Sequence, residues 1–207
     1  LISYVDADSD GSPECLDCDD LDAARYPEAE EILGDGVDNN CNDVVDGEAA
    51  IDDVSIKFMG EAEGDAVGLQ GHGLSTAGDV DGDGLADVLI GSGNTGSTAG
   101  AAYVILGASI STDITLDAAD IIIRGDSAGD YAGYEVADAG DVDGDGMGDI
   151  LVGAYGADDA GSNAGKACLF LGASLTTRAE WQLSEADYCF LGEAEGDAAG
   201  MYLSGAG

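Results

Sequence analysis

Positive charge is the scarcest property of this sequence. Its 207 residues include five Lys and Arg against 44 Asp and Glu, so the formal net charge at pH 7 is −39. Such a chain repels the phosphate backbone of nucleic acids, and it also repels an anionic membrane surface. We therefore expect no nucleic-acid partner.

Long apolar runs, proline and histidine are scarce as well. No apolar segment approaches the ~20 residues that a membrane-spanning helix needs, so we expect no direct membrane insertion. The chain has two Pro and one His but 34 Gly, and 45% of its residues are hydrophobic. This hydrophobic fraction is enough for a core and exceeds that of disordered chains. The chain should fold, although its charge opposes compaction and requires a compensating interaction.

The few cysteines indicate disulfides rather than a redox or zinc site. They are Cys15, Cys18, Cys41, Cys168 and Cys189. Cys15 and Cys18 have redox-motif spacing but lack a βαβ context, and a zinc site would need a fourth soft ligand, for which the distant His72 is a poor candidate. We expect a disulfide from Cys41 to either Cys15 or Cys18. Cys168 and Cys189, at the edges of neighbouring strand-like runs, can form another, which leaves one thiol over.

Two internal motifs recur along the chain at intervals of 62 to 67 residues. The pattern G-x-x-x-G-D-x-x-G occurs at 60–68, 125–133 and 192–200, and the sequence A-G-D-V-D-G-D-G occurs at 77–84 and 139–146. These intervals indicate repeats of one structural unit. The chain thus holds two full repeats, at about 54–107 and 120–172, and the start of a third at 187–207.

Each repeat is predicted to be built of short β-strands. Apolar runs of three to five residues alternate with glycine-rich turns, and no segment after residue 50 has the length and period of a helix. The predicted strands are 56–59, 88–90, 102–106, 121–124, 150–152, 167–171 and 188–191. A unit of this length with about four strands is typical of a propeller blade, and the predicted fold class is all-β.

The aspartate-rich loops have the ligand spacing of a calcium site. Each reads D-x-D-x-D-G-x-x-D, which places carboxylates at positions 1, 3, 5 and 9, a backbone carbonyl at position 7 and a turn-forming glycine at position 6. Oxygen-only donors in a crowded, flexible loop favour Ca²⁺ over Mg²⁺. A solvated acidic turn is the alternative, but two such loops in register on a repeat favour the metal. The predicted ligands are Asp79, Asp81, Asp83, Leu85 and Asp87 in the first loop, and Asp141, Asp143, Asp145, Met147 and Asp149 in the second.

Residues 1–50 form a separate acidic, cysteine-containing segment with two less regular loops, and residues 51–207 hold the β repeats. With its low apolar content, this segment should depend on ions and a disulfide for its fold. We therefore predict a small, loop-rich calcium-binding module and about four calcium ions in the whole chain. The candidate ligands within residues 1–50 are Asp6, Asp8, Asp10, Glu14 and Asp17 in one loop, and Asp38, Asn40, Asn42, Val44 and Asp46 in the other.

Residues 51–207 resemble the FG-GAP repeats of integrin α-subunit propellers. The resemblance lies in Phe58-Met59-Gly60, in the two aspartate loops and in the runs D-V-L-I-G and D-I-L-V-G that end them. It implies propeller-like blades with one Ca²⁺ in each loop. Two repeats and the start of a third are too few for a ring of ~4–8 blades, so the propeller is not expected to close within this chain.

Residues 6–48 resemble the MopE-like metal-binding repeat of bacterial surface proteins. The matching sequences are D-C-D-D at 17–20, P-x-A-x-E at 27–31 and D-G-V-D-N-N-C at 35–41. Together the two resemblances imply an exported protein, extracellular or on the cell surface, in which calcium has a structural role.

The expected function is that of a calcium-stabilised extracellular structural protein, a repeat subunit of a surface fibre or layer. Its partner would be the protein itself, in a homo-oligomer or filament that assembles through the incomplete repeats. One alternative is an adhesive module of a larger integrin-like surface protein that binds other surface proteins. A less favoured one is a non-catalytic part of a secreted hydrolase.

No enzymatic activity is expected, because the chain offers no nucleophile with a base beside it. The sequence G-x-G-x-x-G at 91–96 leads into an apolar strand instead of a helix. It therefore predicts a hairpin loop and not a dinucleotide site.

Overall fold

The computed structural model describes residues 8, 18–19, 21–27, 29, 37–39, 41, 56–68, 73–94, 99–110 and 113–205. The chain divides into two compact units, 1–55 and 56–207. The strands of the second unit are β1 (Phe58–Met59), β2 (Leu74–Gly78), β3 (Asp87–Ser92), β4 (Ala101–Ile105), β5 (Ile114–Thr115), β6 (Ile121–Arg124), β7 (Val136–Gly140), β8 (Asp149–Ala154), β9 (Lys166–Phe170), β10 (Glu180–Gln182) and β11 (Tyr188–Leu191). One short helix, α1 (Gly172–Leu175), follows β9.

Two antiparallel four-stranded arrangements form the body of the second unit. Blade 1 consists of β2, β3, β4 and β6 in spatial order, and blade 2 consists of β7, β8, β9 and β11 in the same order. Strand β10 extends blade 1 by pairing in parallel with β6, while β1 and β5 form a separate parallel pair. The described residues are thus mostly β-sheet with almost no helix, in several sheets that do not close. This confirms the predicted all-β, propeller-like fold class.

The sequence repeats and the blades are offset by one strand. The predicted repeat 120–172 begins with β6, the outer strand of blade 1, and continues with β7, β8 and β9, the first three strands of blade 2. By the same offset, β1 occupies in the sequence the place that β6 and β11 occupy in later repeats. A repeat therefore links two successive blades.

Strands β2 and β7 were missing from the sequence prediction because their residues are small rather than apolar. They read L-S-T-A-G and V-A-D-A-G, and they pack against each other between the blades. A Cβ atom added to Gly148 would lie 2.7 Å from the carbonyl oxygen of Ala77, so the backbones approach closely there. Close approach selects small side chains, and these carry no hydrophobic alternation for a sequence prediction to detect.

Alternation along the central strands buries both faces of blade 1. On β4, Ala102 and Val104 contribute to the cluster shared with blade 2, whereas Ala101, Tyr103 and Ile105 belong to a second cluster. This is the period of two expected of a strand. All five residues are fully buried, and each large one contributes roughly 1.5–3 kcal/mol of transfer free energy.

The recurrent glycine motif forms the connection between blades. In its second copy, the N–H of Gly125 donates to the carbonyl of Gly100 (3.0 Å), and the N–H of Gly133 donates to the carbonyl of Gly153 in blade 2 (2.9 Å). The Asp130 carboxylate of the motif accepts the Ser127 N–H at 2.9 Å and closes the loop. Asp65 and Asp197 close the loops of the other two copies in the same way. The loop closed by its own aspartate is therefore common to all three copies of the motif.

Lys166 is a buried cation at the start of β9. Its Nζ lies 2.8 Å from Asp126 Oδ2 and 2.9 Å from Asp159 Oδ2, and its side chain is 3% exposed. Asp126 also accepts the hydroxyl of Ser184 at 2.7 Å. Burial by itself would raise the pKa of Asp126, but the hydrogen bonds from Lys166 and Ser184 outweigh it and hold that pKa below its usual value.

Two disulfides join cysteines in the part of the chain that the structure describes. Cys18 pairs with Cys41, which decides between the two partners left open by the sequence, and Cys168 pairs with Cys189 as expected. The second disulfide joins directly opposed residues of β9 and β11, with their Cα atoms 4.1 Å apart. Cys15 lies outside the described residues.

The contact between blades predicts a large effect of Gly133→Ala. Gly133 has φ +75°, and an added Cβ would lie 2.0 Å from the Ala101 carbonyl oxygen. We expect a loss of about 2–5 kcal/mol in the free energy of unfolding, from left-handed strain and steric overlap together. Gly129→Ala is the matched control, because φ is +99° there but nothing lies near the added atom. Chemical denaturation of both variants measures the difference, and equal losses would contradict the close contact.

The Lys166 ion pair predicts a pH-dependent effect of Lys166→Met. We expect the free energy of unfolding to fall by about 1–3 kcal/mol at neutral pH. This is less than for a fully buried pair, because the Asp159 side chain is 47% exposed. Since the pKa of Asp126 is depressed, its contribution is present above the unfolded pKa of ~3.9 and is lost as the pH falls through the folded value. The wild-type and variant stabilities should therefore converge at acid pH. Urea titrations from pH 7 to pH 3 test this, and a pH-independent difference would exclude it.

Candidate metal centres

Two loops at the same position in the two blades hold the acidic groups. Residues 79–87 connect β2 to β3 in blade 1, and residues 141–149 connect β7 to β8 in blade 2. The turn depends on glycine, because Gly82 and Gly84 have φ of 76° and 91°, and Gly144 and Gly146 repeat these values closely. The glycine predicted at position 6 is therefore required by the backbone.

The first aspartate of each loop organises the backbone around it. Asp79 Oδ1 accepts the N–H groups of Gly82 (2.8 Å) and Asp83 (3.0 Å), and its Oδ2 accepts that of Gly84 (2.9 Å). Asp141 makes the same three hydrogen bonds at 2.8, 3.0 and 3.0 Å. The two loops thus share one conformation, stabilised by their own first carboxylate.

The ninth position is buried and links the loop to the segment that follows the third strand, at the same end of the blade. Asp87 is 2% exposed; its Oδ2 accepts the Val80 N–H and its Oδ1 accepts the Gly107 N–H, both at 2.8 Å. Asp149, fully buried, accepts from Val142 at 2.7 Å and from Gly172 at 2.9 Å. One carboxylate therefore joins the start of the loop, the first residue of the next strand and the end of the third strand.

In each loop, three of the predicted carboxylate ligands come together. Asp79, Asp81 and Asp87 each offer an oxygen within 4.8 Å of the other two, and so do Asp141, Asp143 and Asp149. Among the described residues, these are the two groups of this kind. The sequence positions brought together are therefore 1, 3 and 9.

The position-5 aspartates are not members of these groups. Asp83 Oδ1 accepts the Leu85 N–H at 2.7 Å, and Asp145 Oδ1 accepts the Met147 N–H at 2.8 Å. Leu85 and Met147, whose carbonyls are predicted ligands, thus belong to the same local turns, two residues before Asp87 and Asp149.

The electrostatics of the groups favour a bound cation. Burial raises the pKa of Asp87 and of Asp149 above the usual value, and neighbouring loop carboxylates raise it further, while the backbone hydrogen bonds oppose both effects. Neither group contains His or Cys, so its donors are oxygen atoms only. Such donors fit a hard divalent cation, which would remove the mutual repulsion of the carboxylates.

The sequence analysis missed a second pair of repeated aspartates that support these sites. Asp120 accepts the Leu106 N–H (2.9 Å) and the Ser109 hydroxyl (2.8 Å). Asp187 accepts the equivalent groups of Leu171 and Ser174 at the same distances. They fix the turns that present Gly107 and Gly172 to the buried aspartates. The signal was present in the sequence as a recurrence of Gly-Ala-Ser followed by Asp.

The first unit is described at fewer positions. Of its predicted ligands, Asp8 and Asp38 are described, whereas Asp6, Asp10, Glu14, Asp17, Asn40, Asn42, Val44 and Asp46 lie outside the described residues. The described contacts place Arg25 2.7 Å from the Asp19 carboxylate, and the Tyr26 N–H donates to the Asn39 carbonyl at 3.0 Å. Together with the Cys18–Cys41 disulfide, they hold the residues around position 20 close to those around position 40.

Comparison with known families assigns a match to each unit. Residues 71–105, which include the first aspartate loop, match the FG-GAP repeat, and residues 17–47 match Cu-binding_MopE, described as "Putative metal-binding motif". No curated protein matches the chain. No helix among the described residues is long and apolar enough to cross a membrane.

An FG-GAP repeat suggests an integrin-like extracellular repeat protein, and the two disulfides fit a secreted one. The matched segments lie within the two resemblances found in the sequence, at 51–207 and 6–48. The chain thus carries an FG-GAP repeat in its second unit and a metal-binding motif of the MopE type in its first.

Proposed function

We propose that this protein is a calcium-stabilised extracellular structural protein that serves as a repeat subunit of a surface fibre or layer. The observation that carries the proposal is the duplication of one oxygen-only carboxylate group at the same place in two consecutive blades. Duplicated sites in a repeat unit indicate a role in the unit itself, because a single catalytic or ligand-binding site would not need to recur in each blade.

The choice of calcium rests on the donor atoms. Each group supplies carboxylates from a flexible loop with carbonyl oxygens nearby, a donor set that Ca²⁺ accommodates at six to eight ligands and Mg²⁺ does not. Copper and zinc favour imidazole or thiolate donors. In the first unit, Cys18 and Cys41 are joined in a disulfide and so offer no thiolate, which favours a hard cation there too.

The role of the ion would be structural. Asp87 and Asp149 already hold the acidic loop to the segment after the third strand, at one end of each blade, through backbone hydrogen bonds. An ion bound between them and the carboxylates at positions 1 and 3 would fix the loop to the same point. A ligand that binds only the folded state stabilises that state by RT ln(1 + [L]/Kd), so calcium would stabilise each blade directly.

Assembly into a fibre or layer is supported by the exposed end of blade 2. Tyr188 and Phe190 on β11 are 60% and 61% exposed. Large apolar side chains grouped on an outer strand mark a surface suited to another protein, and the partner proposed here is a second copy of the chain.

Chelation is expected to lower the thermal stability strongly. Without an ion, the carboxylates of each group repel one another, so EDTA should reduce the melting temperature by about 10 °C or more, on the basis of ~4 kcal/mol of linkage at a thousandfold excess of ligand over Kd. Added Ca²⁺ should restore the melting temperature, and Mg²⁺ should restore little of it. Differential scanning calorimetry makes the measurement, and an unchanged transition in EDTA would refute the calcium role.

Neutralising one carboxylate in each group should reduce calcium binding with little change of the metal-free fold. Asp81→Asn and Asp143→Asn remove one charged donor each while keeping an oxygen to accept the N–H groups of Asp83 and Asp145. Each should weaken calcium at its own loop by roughly tenfold or more, and the double variant should affect both sites. The matched control is the exposed Asp117→Asn, outside the loops. Isothermal titration calorimetry distinguishes them, and wild-type binding by the double variant would place the ions elsewhere.

A further inference from the structure

The two blades differ in how their faces are covered. Blade 1 packs on one face against blade 2, and on the other face Phe58 and Val67 pack against its cluster of Ile90, Ala101, Tyr103, Ile105, Leu116 and Ile122. Strand β5 completes that side by pairing in parallel with β1, Phe58 opposite Ile114 and Met59 opposite Thr115. The segment 58–68 therefore covers the face of blade 1 that points away from blade 2, just as blade 1 covers one face of blade 2.

The segment 190–200 is nearly a copy of the segment 58–68. The first reads F-L-G-E-A-E-G-D-A-A-G and the second F-M-G-E-A-E-G-D-A-V-G, with nine of eleven residues identical. The intervening copy at 123–133 shares only four of the eleven residues with 58–68. The last copy of the motif thus carries the side chains that fit blade 1, not those that fit blade 2.

The contacts of segment 58–68 show which of these side chains matter. Glu61 accepts a hydrogen bond from the Tyr103 hydroxyl at 3.0 Å and lies 3.0 Å from the Arg124 guanidinium, both on blade 1. The equivalent of Glu61 is Glu193, which is exposed and makes no side-chain hydrogen bond or ion pair within residues 113–205 or the other described segments. The equivalent of the half-buried Phe58 is Phe190, which is 61% exposed.

We propose that residues 188–200 of one copy dock on blade 1 of a second copy, in place of that copy's own segment 58–68. Phe190 then packs on the blade 1 cluster, Glu193 binds Tyr103 and Arg124, and β11 pairs in parallel with β5. In the complex, blade 1 of the second copy lies next to blade 2 of the first copy. This repeats the arrangement within one copy, where blade 2 lies next to blade 1. The inference rests on the proposed structural role and supplies its partner and its surface.

The charge of the chain favours this kind of contact over one between complementary surfaces. With five cations in 207 residues, an interface built on opposite charges has few partners, and Arg124 is one of those five. The proposed contact uses one carboxylate–guanidinium pair, backbone pairing and apolar burial. It joins different surfaces of the two copies, so it is heterologous and produces rings or filaments.

The two segments differ in the side chain at one contact position, which is Val67 in segment 58–68 and Ala199 in segment 190–200. This difference affects which segment blade 1 prefers. Val67 packs against the blade 1 cluster, and Ala199 is a smaller side chain at the same position. A copy's own segment is also covalently tethered, so it is present at high effective concentration. Exchange between copies is therefore expected to depend on protein concentration, with monomers at low concentration and assemblies at high concentration.

The test measures self-association of the full chain in calcium buffer. Sedimentation velocity across a concentration series should show assembly of the wild type and at least about tenfold weaker assembly of the double variant Phe190→Ser/Glu193→Gln. Glu195→Gln is the matched control, because it removes the same charge from the same loop while its equivalent, Glu63, is exposed and makes no ion pair with blade 1 in the described part of the chain. If the Ser substitution disturbs folding, as judged by the melting curve, Glu193→Gln alone carries the comparison.

A charge exchange tests the pairing itself. Glu193→Arg should abolish assembly, and mixing it with Arg124→Glu should restore heterologous complexes, because the reversed pair is again complementary. A wild type that stays monomeric at every concentration would overturn the proposal, as would a Phe190→Ser/Glu193→Gln variant that assembles like the wild type. Melting of the same samples with and without EDTA reports separately on the calcium role, so either idea can fail without the other.

Discussion

The buried aspartate at the ninth loop position is the constraint on which each blade depends. Asp87 and Asp149 use both carboxylate oxygens for backbone N–H groups from segments about thirty residues apart in the sequence. A buried charge is costly unless it is hydrogen-bonded, and here the bonds that satisfy it also align the loop with the end of the third strand. The same residue brings a negative charge to the inner side of the acidic loop. The fold thus builds a cation site from a group that it needs for its own connectivity.

The connection between blades follows a different physical principle, which is close contact of backbones. Gly133 and Gly148 lie where an added side chain would overlap a carbonyl oxygen of the adjacent blade. Gly133, in the segment that connects the blades, donates its N–H to the Gly153 carbonyl of blade 2 while its Cα faces the Ala101 carbonyl of blade 1, so main-chain atoms join the two. Because this contact uses glycine, alanine and main-chain atoms, it is insensitive to the high net charge. An acidic chain can therefore stack its blades without many cations.

Much of the fold and of the candidate sites followed from the sequence, for identifiable reasons. Strands β6 and β11 were predicted with their observed bounds because they are apolar and flanked by turn residues. The loop ligands could be located because Asp and Gly at fixed spacing constrain a turn strongly. Strands β2 and β7 could not, since their small residues are selected by a neighbouring blade that a local pattern does not reveal. The role of Asp120 was missed for a related reason, because its carboxylate acts on a turn that lies 11 to 14 residues earlier in the sequence.

The offset between repeat and blade explains why a chain of this kind can favour assembly. A repeat supplies the outer strand of one blade and the first three strands of the next. Among the described residues, the outer strand of blade 2 is β11, with Tyr188 and Phe190 exposed. Strand β1, which takes the same place in the first repeat, is two residues long and pairs with two residues of β5. Segment 58–68 also contacts blade 1 through the side chains of Phe58, Glu61 and Val67, and the near-identical segment 190–200 provides similar side chains to replace them. Blade 1 therefore makes similar contacts with its own segment 58–68 and with segment 190–200 of a second copy, so the difference in contact energy between the two states is small. Covalent tethering and charge repulsion favour the copy's own segment, and high protein concentration favours the segment of the second copy.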